Sequence, residues 1–268
     1  MNELATLFLL FVGYSFLGWA CESAYCSFPA GRFVNRGFLN GPFCPIYGAG
    51  ALLVVTVLAP VRDRIPLLFL ASALLTSAVE YLTGLLLETL FHAKYWDYSD
   101  HRFNLRGRVC LENSLMFGAM SVAAVHFVEP AMLRLIGLIP KPAVPFVAGG
   151  FACYFVSDTT LTVFEISSLN GKLGELQQVL DEIKEKAHTA RVETIEVLAE
   201  TIAARLDEGT KARLRLLYER KEKLESGFHL LQRRIIRAFP TMRSVRNNES
   251  LQRIRELLQN YGKFIRRG

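Results

Sequence analysis

The chain has no G-x-x-x-x-G-K-[ST] loop. It therefore lacks the backbone cradle and lysine that hold nucleotide phosphates in the commonest ATPases. Its five cysteines, Cys21, Cys26, Cys44, Cys110 and Cys153, show no C-x-x-C spacing. That excludes the usual zinc and dithiol motifs and makes free thiols the expectation. No metal and no cofactor is expected. A basic leader and a small-residue cleavage site are also missing ahead of Leu4, which follows Asn2 and Glu3, so the first apolar run reads as an anchor and not a removed signal. Basic residues are not interleaved with aromatics as in a nucleic-acid module, and no nucleic acid is expected as a partner.

Long hydrophobic runs are abundant. Five fill the first two-thirds of the chain, at about residues 4–28, 42–60, 65–91, 111–139 and 144–168. A spanning helix needs about 20 mostly apolar residues, and most of the runs reach that length. The expected fold is all-α: a polytopic membrane protein with about five transmembrane helices in residues 1–168, and a basic, helical, coiled-coil-like tail in 169–268. Within the fourth run, Glu129-Pro130 and the prolines at 140, 142 and 145 permit either one kinked span or a span followed by a surface helix.

Orientation follows from lysine and arginine, which are retained on the cytoplasmic side. With five spans, the loop holding Arg32 and Arg36, the loop from Lys94 to Arg108, and the tail share one face. The other face has only Arg62, Arg64, Arg134 and Lys141. This places the amino terminus outside and the tail inside, in a multi-pass membrane protein. The end of the tail, with Arg233, Arg234, Arg237, Arg243, Arg246, Arg253, Arg255, Lys263, Arg266 and Arg267 against Glu249 and Glu256, suits anionic lipid headgroups as a partner.

Carboxylates inside the runs mark where function is to be sought, because a charge at the bilayer centre costs at least about 2.5 kcal/mol. They are Glu22, Glu80, Glu88, Asp158 and Glu165. Spacing of four places Tyr14, Gly18 and Glu22 on one face of the first helix, Thr76, Glu80, Gly84 and Glu88 on one face of the third, and Tyr154, Asp158 and Thr162 on one face of the fifth. Packing turns such polar stripes inward. Glu88 and Glu165, nearer span ends, read as interfacial, and His126 as a packing residue.

Two loops add hydrogen-bonding groups at one membrane edge. Residues 31–48, GRFVNRGFLNGPFCPIYG, are apolar yet broken by glycine and proline. Such a segment must bury its backbone polar groups in protein, as a re-entrant or tightly packed loop that also encloses Asn35, Arg36 and Asn40. Residues 91–110 carry Tyr95, Trp96 and Tyr98, which suit the interface, and also Asp97, Asn104, Arg106 and Arg108, leading to Ser114 in the next span. Arg108 before a helix amino end is suited to an anionic group. The candidate substrate-binding set is Glu22, Asn35, Arg36, Glu80, Trp96, Asp97, Asn104, Arg108, Ser114 and Asp158. The plainer alternative is that Glu22 and Glu80 pair with Arg36 and Arg108 only to fix the fold.

The motifs SFLGWACE at 15–22, NRGFLNGPFCPIYG at 35–48, EYLTG at 80–84 with Glu88, WDYS at 96–99 and GRVCL at 107–111 with Ser114 resemble the bacterial membrane family called putative ABC-transporter type IV, or CmpB-like permeases. The resemblance covers about residues 5–165, with Glu22, Arg36, Glu80, Trp96, Asp97 and Arg108 on motif positions. It implies transport, with any ATPase on a separate subunit.

In the tail, Leu169, Leu173, Leu176, Leu180, Ile183 and Ala187 form a heptad seam. So do Leu214, Leu217, Lys221, Leu224, Phe228, Leu231 and Ile235. A break at residues 207–210 allows an antiparallel hairpin, while a parallel homodimer is the alternative. A third short helix near 249–265 repeats the spacing with Leu251, Ile254, Leu258, Tyr261 and Ile265. Three functions fit: a permease-like protein with a polar pocket near the cytoplasmic face, a membrane enzyme acting on a lipid-linked anionic substrate with Glu80 or Glu22 as base, and a structural subunit whose tail recruits a partner protein.

Overall fold

The structure is a computed structural model that describes residues 3–189 and 208–265. Its helices are α1 (Glu3–Ala30), α2 (Pro45–Val57), α3 (Ile65–Phe91), α4 (Leu111–Ala123), α5 (Glu129–Gly137), α6 (Val144–Thr189), α7 (Glu208–Ser226), α8 (Leu230–Ala238) and α9 (Asn248–Ile265). Among the described residues, strand structure is limited to two-residue pieces: β1 (Ala93–Lys94), β2 (Asn104–Leu105), β3 (Val109–Cys110) and β4 (Arg243–Ser244). The protein is all-α and polytopic.

Among the described residues, four helical runs are long and apolar enough to cross a membrane: Glu3–Phe28, Ile65–Phe91, Leu111–Gly137 and Val144–Glu185. The second apolar run differs from the expectation of a full span. Its helix α2 has 13 residues, about 20 Å of rise against an apolar layer about 30 Å thick. Pro45 starts it late, and a 3-10 turn over Ala59–Val61 follows it. The residues before it are non-helical and pack beside α1. Val34 N–H donates to Ser27 Oγ (2.8 Å), Arg36 N–H to Ser23 Oγ (3.2 Å), and Cys44 N–H to the Ser15 carbonyl (2.9 Å). Val34 to Cys44 thus descend about 18 Å along α1, and α2 continues in the same direction. Non-helical chain followed by a 13-residue helix thus runs alongside α1.

The fourth run is one continuous helical stretch. Between α4 and α5 the backbone takes a π turn over Ala124–Val128. Pro130 explains it, since its ring has no N–H and crowds the carbonyl four residues back. A π bulge absorbs that clash without ending the helix.

The described chain divides into two compact units. The first contains residues 1–164 and 234–243, the second 165–233 and 244–268. One core of the first unit joins Leu9, Leu10 and Tyr14 of α1 with Val54 and Val55 of α2, Leu68 of α3, Val125 and Ile136, and Val144 and Ala148 of α6. Another gathers Val12, Leu39, Phe43 and Phe155, with Phe43 and Phe155 rings 4.9 Å apart. Close approach of α1 and α2 depends on Gly18, where a Cβ would overlap the Tyr47 side chain. Residues 234–243 enter this unit although the sequence periodicity groups them with the tail.

In the second unit Leu169, Leu173, Leu176, Leu180 and Ile183 are buried along α6, as are Leu217, Phe228, Leu251, Ile254 and Leu258. Arg213 pairs with Glu182 (2.8 Å), and Lys172 Nζ donates to the Gly227 carbonyl (2.6 Å). The higher number in one partner meets the lower in the other, so α6 and α7 run antiparallel. Asp207, Arg266 and Arg267, and the side chains of Ala187, Leu214, Tyr261 and Ile265, lie outside the described residues.

Candidate functional site

The polar side chains of the first unit collect around the non-helical residues 34–44 and the 92–110 loop. Glu22, on α1, receives both Nη2 (3.0 Å) and Nε (3.2 Å) of Arg36. The guanidinium is also 5.3 Å from the Phe239 ring centroid and donates to the Ala238 carbonyl. With side chains 17% and 23% exposed, the pair is partly desolvated, so loss of one partner strands the other. Asn35 lies beside it and accepts the Trp19 indole N–H (2.7 Å).

Asp158, on α6, is engaged by the loop backbone. Its Oδ1 accepts Asn40 N–H (3.0 Å) and its Oδ2 accepts Gly41 N–H (2.9 Å) and the Tyr154 hydroxyl (3.3 Å). These are donors that helix or sheet pairing would otherwise satisfy, and a buried unpaired N–H is costly. Asn40 Nδ2 adds a bond to Thr162 Oγ1 (3.1 Å). Arg234 completes the wrap by donating to the Gly37 carbonyl (2.9 Å) and Asn40 Oδ1 (3.2 Å).

Arg108 does not pair with Glu80. Its Nη2 meets Glu88 Oε2 at 2.6 Å, and its guanidinium packs 5.3 Å from the Tyr81 ring. The Trp96 indole N–H donates to the Arg108 carbonyl (2.9 Å). Between Gly84, Glu88, Trp96 and Arg108 lies a void of about 10 Å³, room for about one water.

Glu80 has a different environment. It is 6% exposed, its Oε1 accepts the Tyr98 hydroxyl (3.2 Å), and its Oε2 has no hydrogen-bond partner. Burial pushes the Tyr98 phenol above its ordinary range, so it remains a donor at neutral pH. Ser114, on α4, accepts the Ser77 hydroxyl (2.7 Å) one turn from Glu80 and donates to the Cys110 carbonyl (2.9 Å).

Asp97 and Asn104 organise the loop. Asp97 accepts the Ser99 N–H (3.1 Å) and hydroxyl (2.5 Å) and pairs with Arg243 (3.2 Å). Burial acts to raise its carboxyl, but these donors and the charges of Arg243 and Lys94 outweigh it and hold the group below its ordinary range. Asn104 donates to the His101 carbonyl (2.8 Å) and accepts Gly107 N–H (3.0 Å), across a β2–β3 pairing of Asn104 with Cys110 and Leu105 with Val109. Gly107 has φ 70°, a left-handed backbone that glycine adopts without strain.

Among the expected residues, Glu22, Asn35 and Arg36 are therefore in direct contact with one another's surroundings, and Asp158 holds the same loop from the other side. Glu80 lies within electrostatic reach of Glu22. Trp96 and Arg108 form a second group, while Asp97 and Asn104 make bonds that shape the loop. Sequence reasoning did not assign Trp19, Tyr81 or Phe239 to the site, and it placed Arg234 in a lipid-facing basic end, whereas its guanidinium bonds the 37–40 loop. Tyr98 was read as an interfacial aromatic within the WDYS motif and not as a partner of Glu80.

Residues 9–163 match the family described as Putative ABC-transporter type IV, a stretch longer than half the chain. It takes in every expected site residue and stops short of residues 234–243. No curated protein and no solved structure matches the chain.

Proposed function

We propose that the chain, which belongs to the Putative ABC-transporter type IV family, is a permease-like protein of the bacterial inner membrane whose substrate meets the polar cluster of Glu22, Arg36 and Glu80. The observation that carries this reading is the broken second crossing. Irregular backbone at membrane depth is tolerated where it is buried in protein or lines a path, and transporters place binding sites where spanning helices are interrupted. Here the interruption, from Val34 to Cys44, is where Arg36 meets Glu22.

The positive loops support a cytoplasmic position for this cluster, and the same charge rule supports one for the tail. The antiparallel pairing of α6 with α7 supports a coiled-coil-like tail over residues 169–268 that docks a separate ATPase subunit. The tail's basic end adds contact with lipid headgroups.

The test compares Glu80→Gln with Asp158→Asn in a strain lacking the protein. Glu80→Gln is expected to insert at normal levels, keep its melting temperature and fail to restore the phenotype. Asp158→Asn is expected to lose function in step with stability, because it anchors backbone. Normal complementation by a correctly inserted Glu80→Gln protein overturns the reading.

A further inference from the structure

Residues 234–243, RIIRAFPTMR, lie beyond the stretch that matches the family, and the chain on either side of them belongs to the second unit. Within the first unit they bridge the two loops that carry the candidate site. Arg234 donates to the carbonyls of Gly37 (2.9 Å) and Phe38 (3.4 Å) and to Asn40 Oδ1 (3.2 Å). The Ala238 carbonyl accepts Arg36 Nη1, and the Phe239 ring stands edge-on to Tyr95, 5.1 Å away, and 5.3 Å from the Arg36 guanidinium. Arg243 pairs with Asp97 at 3.2 Å. Neither of the two cores built on α1 includes any of these ten residues, so the helical framework packs without them. Their contact is also incompletely satisfied. Among the described residues, the buried Tyr95 hydroxyl and Arg234 Nε have no hydrogen-bond partner, so docking takes them from water without return. The Arg243 side chain is 60% exposed, which lets water and salt compete for its ion pair.

We infer that residues 36–40 and 93–97 form a peptide-docking surface whose occupant is the chain's own segment 234–243, held reversibly. The surface recognises the guanidinium of Arg234, the ring of Phe239 and the guanidinium of Arg243. The segment carries three arginines and no carboxylate, which suits a surface that offers it carbonyl oxygens and Asp97. A ligand tethered in the same chain acts at an effective concentration on the order of millimolar. The segment therefore stays docked against a dilute competitor and yields once its own anchors are weakened. Docked, it covers Arg36 and Asp97; released, it uncovers them. The docking surface stands by itself, while its use as a gate over the Glu22 and Arg36 pair rests on the permease reading.

The experiment is fluorescence anisotropy of a labelled synthetic peptide, RIIRAFPTMR, added to the full chain in nanodiscs of zwitterionic phosphatidylcholine. That lipid gives a basic peptide no net charge to bind. The wild-type chain is expected to bind the peptide weakly, because its own segment occupies the surface. Phe239→Ala is expected to bind it at least about tenfold tighter, the order of loss when a buried aromatic anchor of the resident segment is removed. Arg243→Glu replaces an exposed side chain outside both cores and decides the matter if Phe239→Ala inserts poorly. Its gain is expected to be about fivefold, the scale of a partly exposed ion pair. A peptide carrying both substitutions is expected not to bind. Equal binding by the wild type and Arg243→Glu, equal binding of the altered peptide, or binding to nanodiscs without protein overturns the inference. Those results leave the permease reading intact, and normal complementation by Glu80→Gln would remove that reading while leaving the docking surface in place.

Discussion

Removing Arg108 tests which carboxylate it serves. At 2.6 Å from Glu88, the Coulomb attraction is about 6 kcal/mol at an effective dielectric near 20. Desolvation of the two ions costs several kcal/mol and takes back much of that. The side chains are 12% and 22% exposed, so neither ion is fully buried, and a net coupling of about 2–3 kcal/mol is expected. Arg108→Gln alone is expected to cost about 3–4 kcal/mol, because Glu88 is left stranded and the contact with the Tyr81 ring is lost. Glu88→Gln in the same chain should restore about 2 kcal/mol of this. The measurement is a double-mutant cycle on unfolding free energy in mixed micelles, run for Arg108 with Glu88 and for Arg108 with Glu80. Coupling below about 0.5 kcal/mol to Glu88, or a larger value to Glu80, refutes the assignment.

Asp158→Asn is expected to destabilise the first unit by about 2–3 kcal/mol, since an amide nitrogen would face the Asn40 or Gly41 N–H and leave it unsatisfied; thermal unfolding in nanodiscs measures it. Asp97 has a carboxyl held below its ordinary range, so its contribution is present above the unfolded value near pH 4 and is lost as pH falls through the lower folded value. Hydrogen exchange at Tyr98 N–H, bonded to the Gly107 carbonyl (2.8 Å) and corrected for intrinsic rate, should stay protected at neutral pH and lose protection in acid. Asp97→Asn should be less protected at neutral pH and should not show the acid transition.

The spans at Ile65–Phe91 and Leu111–Gly137 were legible because length and apolarity alone decide them. Glu22 with Arg36 was legible because each sits at an unusual place, an acid inside a span and a base in an apolar loop. Arg108 with Glu88 was not, because Glu80 and Glu88 share one helix face and only axial level separates them. That level appears in space, where a Cβ on Gly84 would lie 3.5 Å from the Arg108 side chain. Asp158 stood out as a buried acid, but its partners are backbone N–H groups, which carry no side-chain signature. The shortness of α2 is written in Pro45, yet hydropathy hides it because the non-helical residues before it are also apolar. Residues 234–243 were unreadable for a related reason. Their leucine-like spacing fits a tail seam, while Phe239 packs 5.1 Å from the Tyr95 ring and Arg243 reaches Asp97.

The non-helical segment 34–44 also constrains the order in which the protein is made. Asn40 N–H and Gly41 N–H are satisfied by a carboxylate 118 and 117 residues later in the chain. A ribosome adding about 5–20 residues per second leaves these donors without their acceptor for at least several seconds after they emerge. During that interval the segment must remain in the wet mouth of the insertion machinery or at the headgroup layer, because lipid offers a bare N–H nothing. The second crossing is thus completed only after α6 arrives, and membrane integration proceeds out of chain order. Ribosome-bound intermediates ending between α3 and α6 should carry residues 31–44 in an aqueous, reagent-accessible state.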